Sequence, residues 1–288
     1  MNIALLVSGS LGFNVLNYLV LQERQIQCVF TDSKSTNIIT LANFKRIPLY
    51  TGNPRSRYSI EFIRPFKIEL MLSVNYLFII ERDLYSRSKF AINLHGSLLP
   101  KYRGRTPHVW AIINNEDYTG ITAHLIDDGC DTGDIIKQWE VPIDYHDTGA
   151  DILNKFHELY LPLVDSLIQE YQKGQLHAIP QNHAKSTYFC KRTTSDGIID
   201  WNWHKERIRN WVRAQAKPYP GAFTFYEKEK LIVDEIKFVD CGYQQNDING
   251  LLLSSNPFYV KTPNGVVHLS KIRSDNTLPT LEAGKKLG

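Results

Sequence analysis

Cysteine is scarce in this sequence and is not arranged for cross-linking. Four cysteines, Cys28, Cys130, Cys190 and Cys241, are scattered over 288 residues, and none stands in a Cys-x-x-Cys pair. This spacing excludes the usual disulfide frameworks and cysteine-based zinc sites from our expectations. We therefore expect reduced thiols and no bound metal.

Long apolar runs and a strong charge of either sign are also missing. No stretch approaches the roughly 18 apolar residues that cross a bilayer, and the N-terminal MNIALLVSGS lacks the charged start of a signal peptide. A net charge of +3 without a basic stripe or tail is not typical of a nucleic-acid-binding protein. We expect a cytoplasmic protein with no membrane or nucleic-acid partner. The mild positive charge fits a small anionic partner such as a nucleotide or a folate tail.

Short apolar runs alternate with helical patterns through the first half of the chain. The predicted strands are Asn2–Val7, Gln27–Thr31, Lys67–Val74 and Ala91–Leu94. Phe13–Leu21 has the apolar spacing of a helix. This alternation predicts an α/β fold, a Rossmann-like parallel sheet with helices on both faces. Ligands of such sheets bind beyond the carboxyl ends of the strands, where the loop Ser8–Gly12 and the loop after His95 lie.

The pattern changes after a long helix. Asp151–Tyr171 is amphipathic, and Pro162 inside it predicts a kink or a break. Beyond residue 200 the apolar runs are short and strand-like, and Asn264–Gly265 between two of them is a hairpin signal. We predict one domain over residues 1–180, a linker over 181–199 and a small, mostly β domain over 200–288.

The residues suited to chemistry are concentrated near His95 and in a later acidic loop. Asn93 and His95 are two apart at a strand end, so their side chains project on one face. A histidine can accept a proton from an amine, and an amide beside it can donate a hydrogen bond to a developing oxyanion. Asp131, in a glycine-rich loop, would raise the pKa of His95 and orient it. Each residue alone also fits a structural hydrogen bond or an ordinary turn, but together they suit acyl transfer.

A long motif around His95 resembles that of a known enzyme family. It reads Asn93-x-His95-x-Ser97-Leu98-Leu99-Pro100-x-x-Arg103-Gly104, followed by Asp131-x-Gly133. It is similar to the formyltransferase superfamily that uses 10-formyltetrahydrofolate. The resemblance implies that Asn93, His95 and Asp131 are the catalytic trio. His95 would act as base and then as acid, Asn93 would steady the oxyanion, and Asp131 would raise the pKa of His95.

The resemblance also implies a folate pocket, with 10-formyltetrahydrofolate as the formyl donor. One wall consists of Phe78, Ile79 and Ile80. It is similar to the segment whose backbone lines the pteridine pocket in the family. The same three residues are equally compatible with the buried end of a strand that has no role in binding. The residues of the other wall are Asp127, Asp128, Gly129 and Cys130. Arg105 matches a folate-side contact, with a solvated arginine as the plainer interpretation.

The C-terminal third bears on the identity of the acceptor. Asp196–Trp201 and Pro218–Phe223 are similar to the part shared by methionyl-tRNA and amino-sugar formyltransferases. Gly104-Arg105-Thr106-Pro107 with Trp110 resembles enzymes that formylate nucleotide-linked 4-amino sugars. The near balance of charges in the C-terminal region is also unsuited to a tRNA backbone. The implied acceptor is dTDP-4-amino-4,6-dideoxyglucose, for a surface polysaccharide such as O-antigen. A UDP-linked sugar stays open, and methionyl-tRNA formyltransferase is the alternative.

Two loops are candidates for contacts with this nucleotide sugar. The first loop consists of Ser8, Gly9 and Ser10 and precedes a helix. Backbone N–H groups at the start of a helix attract a pyrophosphate. An ordinary strand-to-helix turn without a ligand explains these residues equally well. The second follows the histidine, and its residues are Lys101, Tyr102 and Arg103.

A nicotinamide-dependent oxidoreductase is a remote alternative suggested by the first strand and helix. It requires Gly-x-Gly-x-x-Gly, and this chain has only Gly9-x-x-Gly12. Relatives in the formyltransferase superfamily are often dimeric, so the resemblance implies a homodimer.

Overall fold

Strands and helices alternate as far as the long helix, and strands dominate after it. A computed structural model describes all residues from Met1 to Gly288. The strands are β1 Ile3–Val7, β2 Ile26–Thr31, β3 Leu49–Thr51, β4 Ile68–Val74, β5 Ser88–His95, β6 Arg103–Gly104, β7 Tyr118–Leu125, β8 Ile135–Pro142, β9 Tyr188–Phe189, β10 Ala222–Tyr226, β11 Glu229–Val239, β12 Leu252–Ser255, β13 Phe258–Thr262 and β14 Gly265–Arg273. The helices are α1 Gly9–Leu21, α2 Thr36–Phe44, α3 Arg57–Ile63, α4 Arg82–Tyr85, α5 Pro107–Ile113, α6 Gly149–Gln172 and α7 Lys205–Ala214, with 3₁₀ turns at His183–Lys185 and Thr194–Gly197. None of the helices combines the length and the apolar character that crossing a membrane requires.

The first sheet has seven strands in the order β3-β2-β1-β4-β5-β7-β8. β1 pairs in parallel with β2 and β4, β2 with β3, and β4 with β5, whereas β7 runs antiparallel to β5. The predicted α/β fold with a Rossmann-like sheet is confirmed, with β7 as a departure from the all-parallel expectation. Connections from β1 and from β4 proceed in opposite directions along the sheet, so right-handed crossovers place α1 and α4 on opposite faces.

The central strands are apolar because both of their faces are covered. Every residue of β1 is buried, as are Leu70, Met71 and Leu72 of β4. A strand covered on both faces is a continuous apolar run and does not alternate. The order of the strands reverses between β1 and β4, and Asn75 Nδ2 donates to the carbonyl oxygen of Ser8 across this point at 3.1 Å. The carboxyl ends of these strands therefore define the edge where a ligand site is expected.

Two helices differ from their predicted form. α1 begins at Gly9, one turn before the predicted start, and α6 runs through Pro162 without a break. Phe156 and Leu163 are buried on one face of α6, while Pro162 and Glu158, whose carbonyl loses its helical donor, lie on the exposed face. Burial stabilises by about 1.5–3 kcal/mol for each large apolar side chain. Several such side chains outweigh the cost of an internal proline, which is about 3 kcal/mol.

The chain folds into two compact units whose segments interleave. The first comprises Met1–Gly104, Thr119–Val141 and Asn154–Phe189, and the second comprises Arg105–Tyr118, Pro142–Leu153 and Cys190–Gly288. This differs from the predicted linear division because α5 packs on α7 within the second unit, where His108 Nε2 and Tyr219 Oη are 2.8 Å apart. Residues 181–189 of the predicted linker belong to the first unit, where β9 pairs with β6.

The second unit contains a five-stranded antiparallel sheet in the order β10-β11-β14-β13-β12. Leu231, Val260 and Val267 are fully buried in it. The predicted hairpin is present, since Thr262 pairs with Gly265 at the turn between β13 and β14. The prediction of a small, mostly β part at the C-terminus is confirmed.

Candidate active site

β5 carries two of the predicted catalytic side chains to the edge of the sheet. Asn93 and His95 lie at its end and pair with His124 and Thr122 of β7. His95 is buried, with 6% of its surface exposed, and Asn93 is half-buried. The alternation of side chains along a strand places both on one face of the sheet.

The hydrogen bonds of His95 decide which of its nitrogens can take a proton. Nε2 lies 2.8 Å from the backbone carbonyl oxygen of Tyr102, and because a carbonyl only accepts, Nε2–H is the donor. In the neutral ring Nδ1 then carries the lone pair, and Nδ1 lies 3.6 Å from Oδ2 of Asp131. His95 therefore accepts a proton at Nδ1, beside a carboxylate that stabilises the resulting cation.

Asp131 lies between two histidines. Its Oδ2 is 3.6 Å from Nδ1 of His95, and its Oδ1 is 3.6 Å from Nε2 of His124. The backbone amide of Gly104 donates to Oδ2 at 2.9 Å. Burial by itself raises the pKa of the Asp131 carboxyl, but His95, His124 and the Gly104 amide outweigh burial and hold the pKa well below its usual range. Asp131 is therefore ionised and places a fixed negative charge beside His95.

Burial dominates the protonation of His95. It lowers the pKa of the imidazole below its ordinary value, and His124 and Arg103 lower this pKa further. Asp131 and the Tyr102 carbonyl act in the opposite direction. The influence of Asp131 thus has the predicted sign, but the net pKa of His95 is lowered. The ring is neutral near pH 7, which is the form that a general base requires.

His124 is a site residue that the sequence interpretation missed. Its Nδ1–H donates to the carbonyl oxygen of Leu125 at 2.7 Å, which leaves Nε2 to accept from Nδ2 of Asn93 at 3.1 Å. His124 therefore orients the Asn93 amide as well as facing Asp131. The available signal in the sequence is that Thr122 and His124 alternate with the apolar residues Ile121, Ala123 and Leu125. Polar side chains that are buried in such a strand need specific partners.

The loop after His95 is held from β7 and β8. Thr122 Oγ1 donates to the carbonyl oxygen of Ser97 at 2.6 Å, and the backbone amide of Leu99 donates to Thr122 Oγ1 at 3.1 Å. Gln138 Nε2 donates to the carbonyl oxygen of Leu99 at 2.8 Å, and Ser97 Oγ donates to that of Lys101 at 2.8 Å. These bonds hold the loop that brings the Tyr102 carbonyl to His95.

The first predicted folate wall follows the end of β4. Ile79 is exposed, with 62% of its surface open to solvent, whereas Ile80 is buried in the core beside this edge. The ring of Phe78 packs edge-on against Tyr76, with 5.4 Å between ring centroids. The structure therefore presents Ile79 as apolar surface available to a ligand, and its predicted folate contact stays a prediction.

The second predicted folate wall is the loop that precedes Asp131. Asp127 accepts from Thr132 Oγ1 at 2.6 Å and from the Gly129 amide at 3.1 Å. A Cβ atom at Gly129 would lie 2.0 Å from Thr132 Oγ1, so a larger residue there would displace the Thr132 side chain that donates to Asp127. Asp128 accepts from Tyr85 Oη at 2.8 Å and pairs with Arg82.

These contacts connect the two predicted walls, because Arg82 and Tyr85 belong to α4, which directly follows the first wall. Cys130 is exposed, and its Sγ lies 3.6 Å from Oδ2 of Asp131. All four cysteines are free thiols, and no group of three or more His, Cys, Asp and Glu side chains is placed to hold a metal ion.

The predicted anion loop at the start of α1 is already engaged within the protein. The Gly9 amide donates to Ser35 Oγ at 2.9 Å, and Ser35 Oγ donates to Asp32 Oδ2 at 2.6 Å. The Ser8 side chain is buried, and Ser10 is exposed. The Gly9 amide already has a hydrogen-bond acceptor, and the Asp32 carboxylate nearby would repel a pyrophosphate. The interpretation of this loop as an ordinary strand-to-helix turn therefore fits better.

The residues after the loop have different environments. Lys101 is exposed, and the ring of Tyr102 is stacked on that of Phe189 with 4.9 Å between centroids. Tyr102 therefore reaches His95 through its carbonyl and packs through its ring. Arg105 is exposed and belongs to the second unit.

Arg103 has a different role from the predicted acceptor contact. It is the largest fully buried side chain, with 1% of its surface exposed. Its guanidinium donates to Gln181 Oε1 at 2.6 Å and to His183 Nδ1 at 3.0 Å, and it also bonds Tyr188 Oη. A guanidinium enclosed by three protein partners is a structural anchor, so the prediction of Arg103 as an acceptor contact is wrong.

Two family matches cover most of the chain. The formyl transferase family matches residues 1–162, more than half of the chain, and the formyl transferase C-terminal domain matches residues 191–280. The chain belongs to the formyl transferase family. The predicted family is thereby confirmed, and Asn93, His95 and Asp131 all lie within the first match.

One curated relative of this formyl transferase is the bifunctional polymyxin resistance protein ArnA of Wigglesworthia glossinidia brevipalpis. It is 30% identical over 253 residues, which cover 87% of this chain and 38% of that relative. The chain therefore corresponds to well under half of the relative's length.

Two solved structures share the fold over nearly the whole chain. One is WlaRD, a sugar 3N-formyl transferase in the presence of dTDP and 5-N-formyl-THF, with a TM-score of 0.72, 21% identity and coverage of 96% of this chain and 99% of that one. The other is the N-formyltransferase of Helicobacter canadensis in complex with folinic acid and dTDP-3-aminofucose, with a TM-score of 0.69, 21% identity and coverage of 93% and 97%. At this identity the likeness shows that this formyl transferase has the same fold.

Proposed function

We propose that this formyl transferase moves a formyl group from 10-formyltetrahydrofolate to the amine of a nucleotide-linked amino sugar. The observation that carries the proposal is the geometry around Asp131. His95 keeps Nδ1 available 3.6 Å from this carboxylate, and Asn93 lies on the same face of β5. A base, an orienting acid and an amide donor within one buried cluster suit acyl transfer to an amine.

Each member of the cluster has a defined task in this reaction. The amine nitrogen attacks the formyl carbon, and the carbonyl electron pair moves to oxygen, where an N–H of Asn93 binds the oxyanion. His95 Nδ1 takes the proton that the amine loses, and ionised Asp131 compensates the new positive charge. The oxyanion then collapses, the bond from the formyl carbon to the folate nitrogen breaks, and His95 returns the proton to that nitrogen.

The surroundings of the cluster support a folate donor. Ile79 offers exposed apolar surface on one side, and the loop Asp127–Cys130 is tied to α4 through Asp128. The two solved structures named above contain 5-N-formyl-THF and folinic acid, which supports the same class of donor here. We propose that both walls contact the donor, with Arg105 as a further candidate.

The acceptor that we propose is dTDP-4-amino-4,6-dideoxyglucose. The solved structures named above carry dTDP or a dTDP-linked amino sugar, which supports a nucleotide sugar as the class. Gly104-Arg105-Thr106-Pro107 is the segment that favours a 4-amino sugar over methionyl-tRNA. Lys101, which is exposed beside the site, is the retained candidate for an acceptor contact. A role in O-antigen synthesis, a cytoplasmic location and a homodimer stay predictions.

The test is turnover of 10-formyltetrahydrofolate with a panel of acceptors, followed by mass spectrometry. The panel holds dTDP-linked 4-amino and 3-amino sugars, a UDP-linked amino sugar and methionyl initiator tRNA. We expect the formylated dTDP-4-amino sugar, and we expect His95→Gln to reduce its formation by at least about 100-fold, as for the loss of a general base. Formylation of the tRNA and of no sugar would overturn the acceptor. Absence of formyl transfer to every acceptor would overturn the function.

A further inference from the structure

Gln181, which lies outside the predicted catalytic motif, hydrogen-bonds the backbone of the loop that carries Asp131. Gln181 is buried, with 5% of its surface exposed, and lies in the segment predicted as a linker. Its Nε2 donates to the carbonyl oxygen of Asp131 at 3.0 Å and to that of Gly133 at 2.7 Å. Its Oε1 accepts from Nη2 of Arg103 at 2.6 Å. All four residues belong to the first unit.

Only one orientation of the Gln181 amide satisfies these three bonds. Carbonyl oxygens only accept and a guanidinium only donates, so the NH₂ group must face the loop and Oε1 must face Arg103. Arg103 is itself held by Tyr188 and by His183. Both N–H groups of the Gln181 amide are used within the protein, which makes this side chain a support and not a ligand contact.

The loop around Asp131 needs such a support. Asp131 has a φ of +55°, in the left-handed region that is unfavourable for a residue with a Cβ atom. The two carbonyls that Gln181 binds lie on either side of Thr132, so the amide spans the turn that follows Asp131. The Gly104 amide, which adjoins Arg103 in the chain, holds the carboxylate of the same residue.

We propose that Gln181, oriented by Arg103, is a positioning residue that holds Asp131 beside His95 for catalysis. Without the two donors of Gln181, the left-handed turn relaxes and the carboxylate moves away from His95. The kinetic test of this proposal rests on the proposed function. The placement of Asp131 beside His95 can be measured in the absence of any acceptor substrate.

The direct test is a measurement of the pKa of His95. NMR spectra of the imidazole C–H groups, recorded as a function of pH, give this pKa. The groups that face His95 are Asp131, His124, Arg103 and the Tyr102 carbonyl. Gln181→Met keeps the length of the side chain and removes its donors and its acceptor. We expect the pKa of His95 to fall in this variant, because Asp131 is the charged neighbour that raises it.

The matched control is Gln175→Met, the same change at an exposed position of the first unit. His95→Gln identifies the resonance. An unchanged pKa of His95 in folded Gln181→Met would overturn the proposal, whether or not the acceptor has been assigned correctly.

The kinetic test separates positioning from simple loss of stability. We expect kcat of Gln181→Met to fall by about 10- to 100-fold, the range for a displacement of up to about 1 Å at a catalytic group, with KM of donor and acceptor within about threefold. In an Asp131→Asn background the same change should have little further effect, because its influence passes through Asp131. Full additivity of the two changes would overturn the proposal. Gln181→Glu, which keeps an acceptor for Arg103 but cannot donate to the carbonyls, should show the same loss of kcat and serves if Gln181→Met does not fold.

Discussion

Replacing Asp131 by asparagine removes the charge beside His95 and keeps the shape of the side chain. The carboxylate lies 3.6 Å from Nδ1 of His95, and both side chains are largely buried, with 14% and 7% of their surfaces exposed. Two unit charges at about 4 Å interact by about 4 kcal/mol at an effective dielectric constant of about 20. At about 1.4 kcal/mol for each factor of ten in rate, loss of this stabilisation from the protonated state of His95 lowers kcat by about 1000-fold.

The pH dependence gives a second readout of the same change. Asp131 raises the pKa of His95, so its removal lowers that pKa. Because the base must be unprotonated in the free enzyme, the acidic limb of the kcat/KM profile should move to lower pH in Asp131→Asn. An asparagine oxygen can still accept from the Gly104 amide, which keeps the loop in place.

Steady-state kinetics across the neutral and acidic range measure both effects. Asp83→Asn, which neutralises an exposed carboxylate on α4, is the matched control. The reasoning would be refuted if Asp131→Asn retained more than about a tenth of wild-type kcat with an unchanged acidic limb, since the electrostatic role assigned to Asp131 predicts both changes.

Three further predictions concern the neighbours of Asp131. Asn93→Ala should lower kcat by about 100- to 1000-fold, as for the loss of an oxyanion donor, and a loss below about tenfold in steady-state assays would contradict this role. His124→Ala removes the acceptor that lies 3.1 Å from Asn93 Nδ2. We therefore expect kcat to fall by at least about tenfold, while the circular dichroism spectrum stays unchanged. A kcat equal to that of the wild type would exclude an orienting role for His124. Burial holds the pKa of His95 below its unfolded value of about 6.5, so the unfolded state takes up the proton first and stability falls as the pH drops below that value. In urea titrations His95→Gln should therefore lose less free energy of unfolding than the wild type between about pH 7 and about pH 5, and an equal loss would count against a buried neutral His95.

Much of the candidate site could be predicted because its signals are local. The two-residue spacing of Asn93 and His95 at the end of an apolar run is enough to place both side chains on one face. The glycines around Asp131 mark a tight loop, and the structure shows that a Cβ atom at Gly133 would lie 1.9 Å from the carbonyl oxygen of Leu125. These properties depend on residues close in the chain, so pattern and motif were sufficient to find them.

The residues that were missed or misassigned depend on contacts between distant segments. His124 belongs to the site because β7 runs antiparallel beside β5 and places it opposite Asn93, a pairing that spacing along one strand does not reveal. Arg103 lies within the motif and was predicted as an acceptor contact. It is instead enclosed by residues about 80 positions later, Gln181, His183 and Tyr188.

The amino-acid sequence by itself determined the α/β class and the family, because both rest on local periodicity and on motifs. It also singled out Asn93, His95 and Asp131 as candidate site residues, whose catalytic roles stay a proposal. The tertiary structure alone decided that Nδ1 is the proton-accepting nitrogen of His95, since the Tyr102 carbonyl occupies Nε2. It also decided the net pKa of His95, because burial outweighs the charge of Asp131. The support that Gln181 gives to Asp131 follows from the way residues 181–189 return to the first unit. Burial and long-range hydrogen bonds arise only when distant segments meet, which is why they are absent from the linear pattern.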